Sequence, residues 1–506
     1  MPTIDAVLER SARIAPDNVA VIEWESGRRV TYRQLDTWVS AFAGFLHAAG
    51  LGRGETVAIY LPNTAKFLTA QFGAARAGCV PAYVNARLSA GEAAGQMRIA
   101  TARAVVTTAA SAEELRGLPG VPEIVIIADG RGPGASLDDI LARGGGPGHS
   151  PFGSEDTDAI IRFTSGSTGA PKGLVVTHRA WLIRASALLA EEIKVETGST
   201  TMVLGPLSHQ AGLFVLPTLM RQGAILMFEK FTIGKVVDAV RAEPIARSQM
   251  VPTMLKIFLG DAAARAAFAA WNPRQIIYGG SPVEATAIAD LLELMPNTDL
   301  MQAYGSHEAG SISHLDGAGH RDPRLRRSAG EPFLSAEVRI RDIPGSDIGE
   351  IEVKAPWFPH LRLTEAGSQP ITEEWIATGD LGVIEDGYLF LKDRANDVII
   401  SGGFNVYPME VEQVLNTHPG IVTSAVVSEP DNKWGERVVA YIVPRPGSTQ
   451  EELAAVLDAH CRSRLANYKV PKAFHPIDVI PVNPNGKPDR RSLSASHWAG
   501  YDRRIN

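Results

Sequence analysis

The chain is poor in cysteine, in long apolar runs and in excess positive charge, and each shortage closes off a class. Its 506 residues hold two cysteines, Cys79 and Cys461, far apart and without metal-ligand spacing. That argues against a disulfide scaffold and a cysteine-based zinc site. No apolar run reaches the about 18 residues of a membrane span, so none is expected. The formal net charge of −7 supplies no basic footprint for nucleic acid, which is not expected as a partner. Asp5 and Glu9 interrupt the apolar residues at the start, unlike a secretory leader, and a cytoplasmic location is the expectation. What is present is an ordinary globular balance, 45% hydrophobic and 21% charged, spread over more residues than one core serves. Two or more domains are therefore expected.

The apolar spacing of residues 4–14 predicts a helix that Pro16 ends. Residues 19–24 and 29–30 predict a strand and its return across Ser26-Gly27. Thr31-Tyr32-Arg33-Gln34 has the pattern of a capping box and opens a helix running to about Ala49. Strand 56–61, helix 63–78 and strands at 104–107 and 123–127 continue the alternation, which implies mainly parallel sheets with helices on their faces. Residues 135–158, rich in Gly and Pro, read as a loose surface connection. From about residue 330, short strands separated by turns suggest a small antiparallel β unit, and beyond residues 392–397 lies a compact α+β pattern.

Residues 164–173, TSGSTGAPKG, crowd hydroxyls, glycines and a lysine into one turn after the apolar strand 159–163. Such a loop can wrap a polyphosphate: glycines let N–H groups approach, hydroxyls donate, and lysine adds charge. A Walker loop needs Gly-Lys followed by Ser or Thr; here Pro171 precedes Lys172 and Gly173 follows it. A flexible surface loop is the plain alternative for any Gly/Ser/Thr-rich turn.

Further strings follow in order: PLSH (206–209), YGGSP (278–282), QAYGSHE (302–308), WIATGD (375–380), DRANDVIISGGFNVYPMEVE (393–412) and PVNPNGKPDR (481–490). Taken singly, a lone His is usually structural, YGGSP can be a plain turn, and most loop lysines are solvated. Together with the TSGSTGAPKG loop they resemble the adenylate-forming superfamily of acyl-CoA synthetases, 4-coumarate ligases, peptide-synthetase adenylation domains and firefly luciferase.

That resemblance implies an α/β fold: a large N-terminal domain of mainly parallel sheets flanked by helices plus a small β-barrel-like unit, and a small mobile α+β C-terminal domain. The division is expected at 1–394 for AMP-binding adenylation and 395–506 for a cap carrying the catalytic lysine. It implies ATP, Mg²⁺ and coenzyme A as cofactors. Thr164, Ser165, Gly166, Ser167, Thr168, Gly169 and Lys172 would hold the phosphates. Gly279, Gly280 and Ser281 would border adenine and acyl chain, with Tyr304 and Gly305 beside the ring. Glu308 and Thr168 would serve the metal, a hard cation that prefers oxygen ligands. Asp380 and Arg394 would bind the ribose, and Gly402 and Gly403 would let the pantetheine arm pass. Lys487 would bridge the carboxylate and nucleotide oxygens, a catalytic role shared with Glu308, His209 and Thr168.

Two positions depart from the superfamily's pattern. His307 stands where a threonine usually contacts the α-phosphate, and an imidazole could donate there instead. Asn396 occupies the hinge, usually Asp or Lys, and asparagine tolerates unusual backbone angles.

The expected reaction is ATP-dependent activation of a small carboxylic acid as its acyl-adenylate, then thioester formation with CoA. The segment Asp431-Asn432-Lys433-Trp434-Gly435-Glu436 resembles the acyl-CoA synthetase branch. Alternatives are an acyl-AMP ligase loading a carrier protein and a catalytically silent nucleotide- or acyl-binding protein. The acid pocket should draw on His209, Gln210, Gly212, Leu213, Arg247, Tyr278, Gly279, Gly305, Ser306 and His307, more polar than a long-chain tunnel needs. Arg247 would pair with a second carboxylate or bridge surface elements. A homodimer is compatible with the resemblance.

Overall fold

The computed structural model describes residues 3–147, 154–164, 170–281, 283, 285–343, 347–445, 450–482, 488–495 and 497–498. The chain divides into two compact units. The first takes residues up to Pro282, Ala287–Glu337 and Val353–Ile376; the second takes Val283–Thr286, Val338–Glu352 and Ala377 onward.

Two nine-stranded sheets build the first unit. In one, strands Val19–Glu23, Ala224–Met227, Thr200–Val203, Ile245–Met250, Gln275–Gly279 and Asp299–Ser306 run parallel, and antiparallel strands close both edges. The other is built around parallel strands Thr56–Tyr60, Val80–Tyr83, Ala102–Thr107 and Asp158–Thr164, with antiparallel strands at one edge and parallel strands Ile124–Ile127 and Ala135–Ser136 at the other. Strands covered on both faces need continuous apolar runs, and Thr56–Tyr60 and Val80–Tyr83 are buried at every position. The expected parallel α/β body is thus present, with antiparallel strands confined to the margins.

Local signals account for the helices. Thr31 accepts from the Gln34 amide while Gln34 bonds back to the Thr31 N–H, so the capping box forms at the head of Tyr32–Ala48, a motif worth about 1 kcal/mol. That helix packs on Ala65–Arg76 where Gly73 meets Phe42; a Cβ on Gly73 would lie 2.7 Å from the ring. The expectation of a loose connection over 135–158 is corrected. Ala135–Ser136 is a strand, and Ser136 caps the helix Leu137–Arg143 by accepting from the Asp139 amide. Leu137, Ile140 and Leu141, at helical spacing, are buried, a signal that the flanking glycines masked.

The β unit expected after residue 330 is a four-stranded sheet of Glu337–Arg341, Gly349–Lys354, Ile376–Glu385 and Tyr388–Arg394, most of it in the second unit. The rest of that unit is a five-stranded sheet whose longest pair, Ile421–Asp431 with Gly435–Pro444, is antiparallel. Helices Pro408–Leu415 and Gln450–Arg462 belong to its core through Val411, Leu415, Leu453 and Leu457. Among the described residues no helix is long and apolar enough to cross a membrane.

Candidate active site

Strand Asp158–Thr164 pairs antiparallel with Lys172–Thr177, and Thr164 stands opposite Lys172. Thr164 and Lys172 thus stand side by side at the open end of a strand pair held in register. Gly173 beside Lys172 is tightly surrounded: a Cβ would lie 3.2–3.3 Å from side-chain atoms of Ile161, Leu363 and Phe163, which would have to give way. Thr164 Oγ1 is buried without a hydrogen-bond partner among the described residues. A buried hydroxyl left so costs free energy until a ligand or water satisfies it, which suits a loop that receives an anion. Ser165, Gly166, Ser167, Thr168 and Gly169 lie outside the described residues.

Several expected pocket residues converge at the carboxyl ends of the parallel strands, where ligands of open α/β sheets bind. Gly279 ends its strand, Gly280 has φ +92°, and Ser281 follows. The Gln210 side-chain amide lies over this turn: a Cβ on Gly279 would be 3.0 Å from its Nε2, and one on Gly280 3.5 Å from its Oε1. Gly212 donates to the His209 carbonyl and has no room for a Cβ beside the Leu207 carbonyl. His209 Nδ1 is 3.0 Å from Ser208 Oγ, and its ring meets that of His307 edge-on at 5.5 Å between centroids.

His307 joins this group to that strand pair. Its Nδ1 donates to the Phe163 carbonyl at 3.1 Å, one residue before Thr164. Burial, then the charges of Arg162, His209 and Arg184, hold its pKa well below the usual imidazole value. The ring is neutral, and with Nδ1–H committed, Nε2 carries no proton. His307 therefore offers an acceptor, not the donor expected in place of threonine. Tyr304 sits opposite Ser313 in the edge hairpin, and Gly305 crosses the Gly310 carbonyl too closely for a side chain. The Ser306 hydroxyl accepts from the Ala309 amide at 2.9 Å, holding the turn that presents Glu308. The Glu308 carboxylate acts on the charge of Arg162, and its oxygens are a donor type that fits Mg²⁺, a hard cation.

Two expected pocket residues are turned elsewhere. Arg247 donates to Ser199 Oγ (2.8 Å), Thr201 Oγ1 (3.2 Å) and the Lys194 carbonyl (2.8 Å), at the strands' amino ends and away from Gly279. It is fully buried, so neither a second-carboxylate contact nor a surface bridge describes it. Tyr278 spends its hydroxyl on His320 Nε2 at 2.6 Å. Conversely, residues 159–163 read as a plain apolar strand, yet Arg162 within it is 3% exposed, lies 5.4 Å from the Trp181 ring and leaves Nη2 unpartnered among the described residues. Burial lowers its pKa to about 10, against the opposing charges of Tyr83 and Glu308. Arg184 flanks the same ring at 5.8 Å. A charged residue inside an otherwise buried strand was the available signal.

The second unit groups its own candidates. Asp380 stands directly opposite Arg394, and Oδ1 is 3.3 Å from the guanidinium Nε. Gly402 and Gly403, at φ +60° and +84°, form the two-residue turn between Ile399–Ser401 and Phe404–Val406, the backbone a tight hairpin requires. Gly402 donates to the Trp434 carbonyl, and a Cβ there would lie 2.5 Å from the Trp434 ring. Lys433 covers that ring at 4.6 Å, so the 431–436 segment and the glycine turn form one surface. Asn396 falls in the short 3-10 helix Ala395–Asp397. Lys487 lies outside the described residues, but Val482 bridges Pro488 and the Asp489 amide reaches the Pro481 carbonyl, so the base of its loop is pinched. Just beyond, Arg490 binds Glu412 at 2.8 Å and Asp397 at 3.1 Å.

Residues 8–358 match the family described as AMP-binding enzyme, and residues 410–487 match the AMP-binding enzyme C-terminal domain. The chain belongs to the adenylate-forming AMP-binding enzymes. It is 33% identical to a feruloyl-CoA synthase of Amycolatopsis sp over 491 residues, covering 94% of this chain and 96% of the relative. It is 30% identical to the fatty acid–[acyl-carrier-protein] ligase ScoC of Streptomyces coeruleorubidus, covering 95% and 94%. Among solved structures, the amide bond synthetase McbA from Marinactinospora thermotolerans superposes with a TM-score of 0.85 at 28% identity, covering 97% of this chain and 99% of that one. In this AMP-binding enzyme the YGG and YGSHE segments end neighbouring parallel strands, and His307 ties the second to the strand that precedes the TSG loop.

Proposed function

We propose that the enzyme is an ATP-dependent carboxylic acid–CoA ligase that forms an acyl-adenylate and then a thioester. The observation that carries the reading is the His307–Phe163 hydrogen bond, which seats the Glu308 turn against the strand pair that flanks the TSGSTGAPKG loop. A carboxylate must approach the α-phosphorus of ATP against like charge while pyrophosphate departs, so positioning and electrostatics dominate. Thr164, Ser165, Ser167, Thr168 and Lys172 hold the phosphates, with Gly166 and Gly169 giving the backbone close approach. Glu308 and Thr168 hold Mg²⁺, which when bound neutralises charge on the departing pyrophosphate. Lys487 aligns the substrate carboxylate, Tyr304 and Gly279–Ser281 bracket the adenine, and Asp380 and Arg394 take the ribose.

Residues 1–394 act as the adenylation domain and 395–506 as the cap, moving about Asn396 between half-reactions. The Gly402–Gly403 turn, walled by Trp434, takes the pantetheine arm. The acid is small, aromatic or hydroxylated. Support comes from the polar group of His209, Gln210 and an acceptor nitrogen on His307, and from similarity to a feruloyl-CoA synthase. The enzyme acts in the cytoplasm. Similarity to ScoC favours a second reading, transfer to a carrier protein.

The test is a carboxylic-acid panel with ATP and Mg²⁺, with and without CoA, read as AMP, pyrophosphate and thioester. Acid-dependent AMP and pyrophosphate with a CoA thioester support the ligase. Adenylate formation without CoA consumption favours the carrier-protein reading. ADP and orthophosphate, or no turnover with any acid, reject both.

A further inference from the structure

Glu429, His475 and His497 converge in the second unit, and none of the three has a role in the proposed reaction. They come from strand Ile421–Asp431, strand Ala473–Pro476 and the turn after helix Arg490–Ala495. Glu429 is 4% exposed. Its Oε2 is taken by Arg437, at 2.6 and 2.9 Å from two guanidinium nitrogens. That leaves Oε1, which lies 3.1 Å from His475 Nε2 and 3.2 Å from His497 Nδ1. One ligand atom from each residue falls within 4.8 Å of the other two.

The groups around the cluster suit an ion at its centre. Tyr441 Oη donates to the Leu493 carbonyl at 3.2 Å and lies 2.5 Å from His497 Nε2. With an ion on Nδ1, the ring keeps its proton on Nε2 and donates it to the phenol oxygen, which in turn donates to the Leu493 carbonyl. The spacing suits the ion: ligands about 2.0–2.1 Å from a tetrahedral Zn²⁺ stand about 3.3 Å apart. Tyr441 fills the place of the outer partner that fixes the orientation of a ligating histidine, and Arg437 does the same for the carboxylate.

We propose that Glu429, His475 and His497 bind one divalent transition-metal ion of the zinc class, with solvent completing the coordination. The ion ties the chain that follows the Lys487 loop to the sheet of the second unit. No bond is made or broken beyond displacement of ring protons and water. The inference is independent of the acid, the acceptor and the catalytic cycle.

The test is Zn²⁺ binding to the full-length protein after chelator treatment and dialysis, by calorimetry and by Co²⁺ substitution. One ion per chain is expected, with the visible absorption of four-coordinate Co²⁺ and a higher melting temperature with Zn²⁺ than with chelator. His475→Ala, His497→Ala and Glu429→Gln should each abolish uptake. Tyr441→Phe should weaken it about 10- to 100-fold, the usual loss when an outer partner is removed. If a ligand variant fails to fold, Tyr441→Phe still decides. The proposal is overturned if the wild type takes up no ion, or if uptake is unchanged in the His475→Ala/His497→Ala double variant or in Tyr441→Phe. An unchanged melting temperature with no uptake identifies the cluster as a hydrogen-bond network alone.

Discussion

Acid should loosen the enzyme at one identifiable imidazole. His178 is 3% exposed at the head of helix His178–Ala187, and its Nδ1 accepts from the Ile4 amide at 3.1 Å, just before helix Asp5–Ile14. Burial lowers its pKa from 6.5 to about 4, only partly opposed by Asp158. The folded value lies below the unfolded one, so the stability it contributes is full above about pH 6.5 and is lost as pH falls toward 4. The displacement corresponds to about 3.4 kcal/mol at full titration and to about 2 kcal/mol by pH 5. His178→Gln keeps a side-chain acceptor for the Ile4 amide and removes the titration. Urea titrations from pH 7.5 to 4.5, read by hydrogen exchange on residues 3–14, should show the wild type losing about 2 kcal/mol more than the variant by pH 5. Parallel losses in the two proteins would refute the assignment of this acid sensitivity to His178.

Three further outcomes follow from the site. Lys487→Ala should abolish acid-dependent pyrophosphate exchange yet spare thioester formation from supplied acyl-AMP; equal losses in single-turnover assays of both steps would contradict the division of labour. Trp434→Ala removes the wall against Gly402 and should raise the KM for CoA about tenfold, roughly 1.4 kcal/mol of contact, with pyrophosphate exchange unchanged. Gly402→Val forces a β-branched residue to φ +60° against that ring, and should lower the melting temperature and slow thioester formation more than adenylation.

Much of the architecture was written in short-range pattern. Thr31 and Gln34, three residues apart, announced a helix start that formed as read. The run of strands and helices announced parallel sheets because parallel neighbours need crossover connections. The reading failed where a local cue was ambiguous. Glycines at 144–146 mask the periodic Leu137, Ile140 and Leu141, so a helix with a buried face has the sequence signature of a loop. Arg247 looked like a pocket cation because sequence order does not say toward which end of a strand a long side chain turns. Its partners at Ser199 and Lys194 answer that. Apolar neighbours hide Arg162 in a strand pattern.

By itself the sequence determined the family, the order of the motifs and the identity of the reactive groups, since these reside in residue type and close spacing. Tertiary structure alone decided which distant residues meet. His307 bonds a carbonyl 144 positions away, and the protonation state of that ring depends on burial and on Arg162 and Arg184, which no local window contains. Glu429, His475 and His497 likewise become a cluster only when two strands and the turn after a helix close around one carboxylate oxygen. Proton placement and ligand geometry depend on distances of a few ångströms between parts of the chain whose separation in sequence sets no such distance.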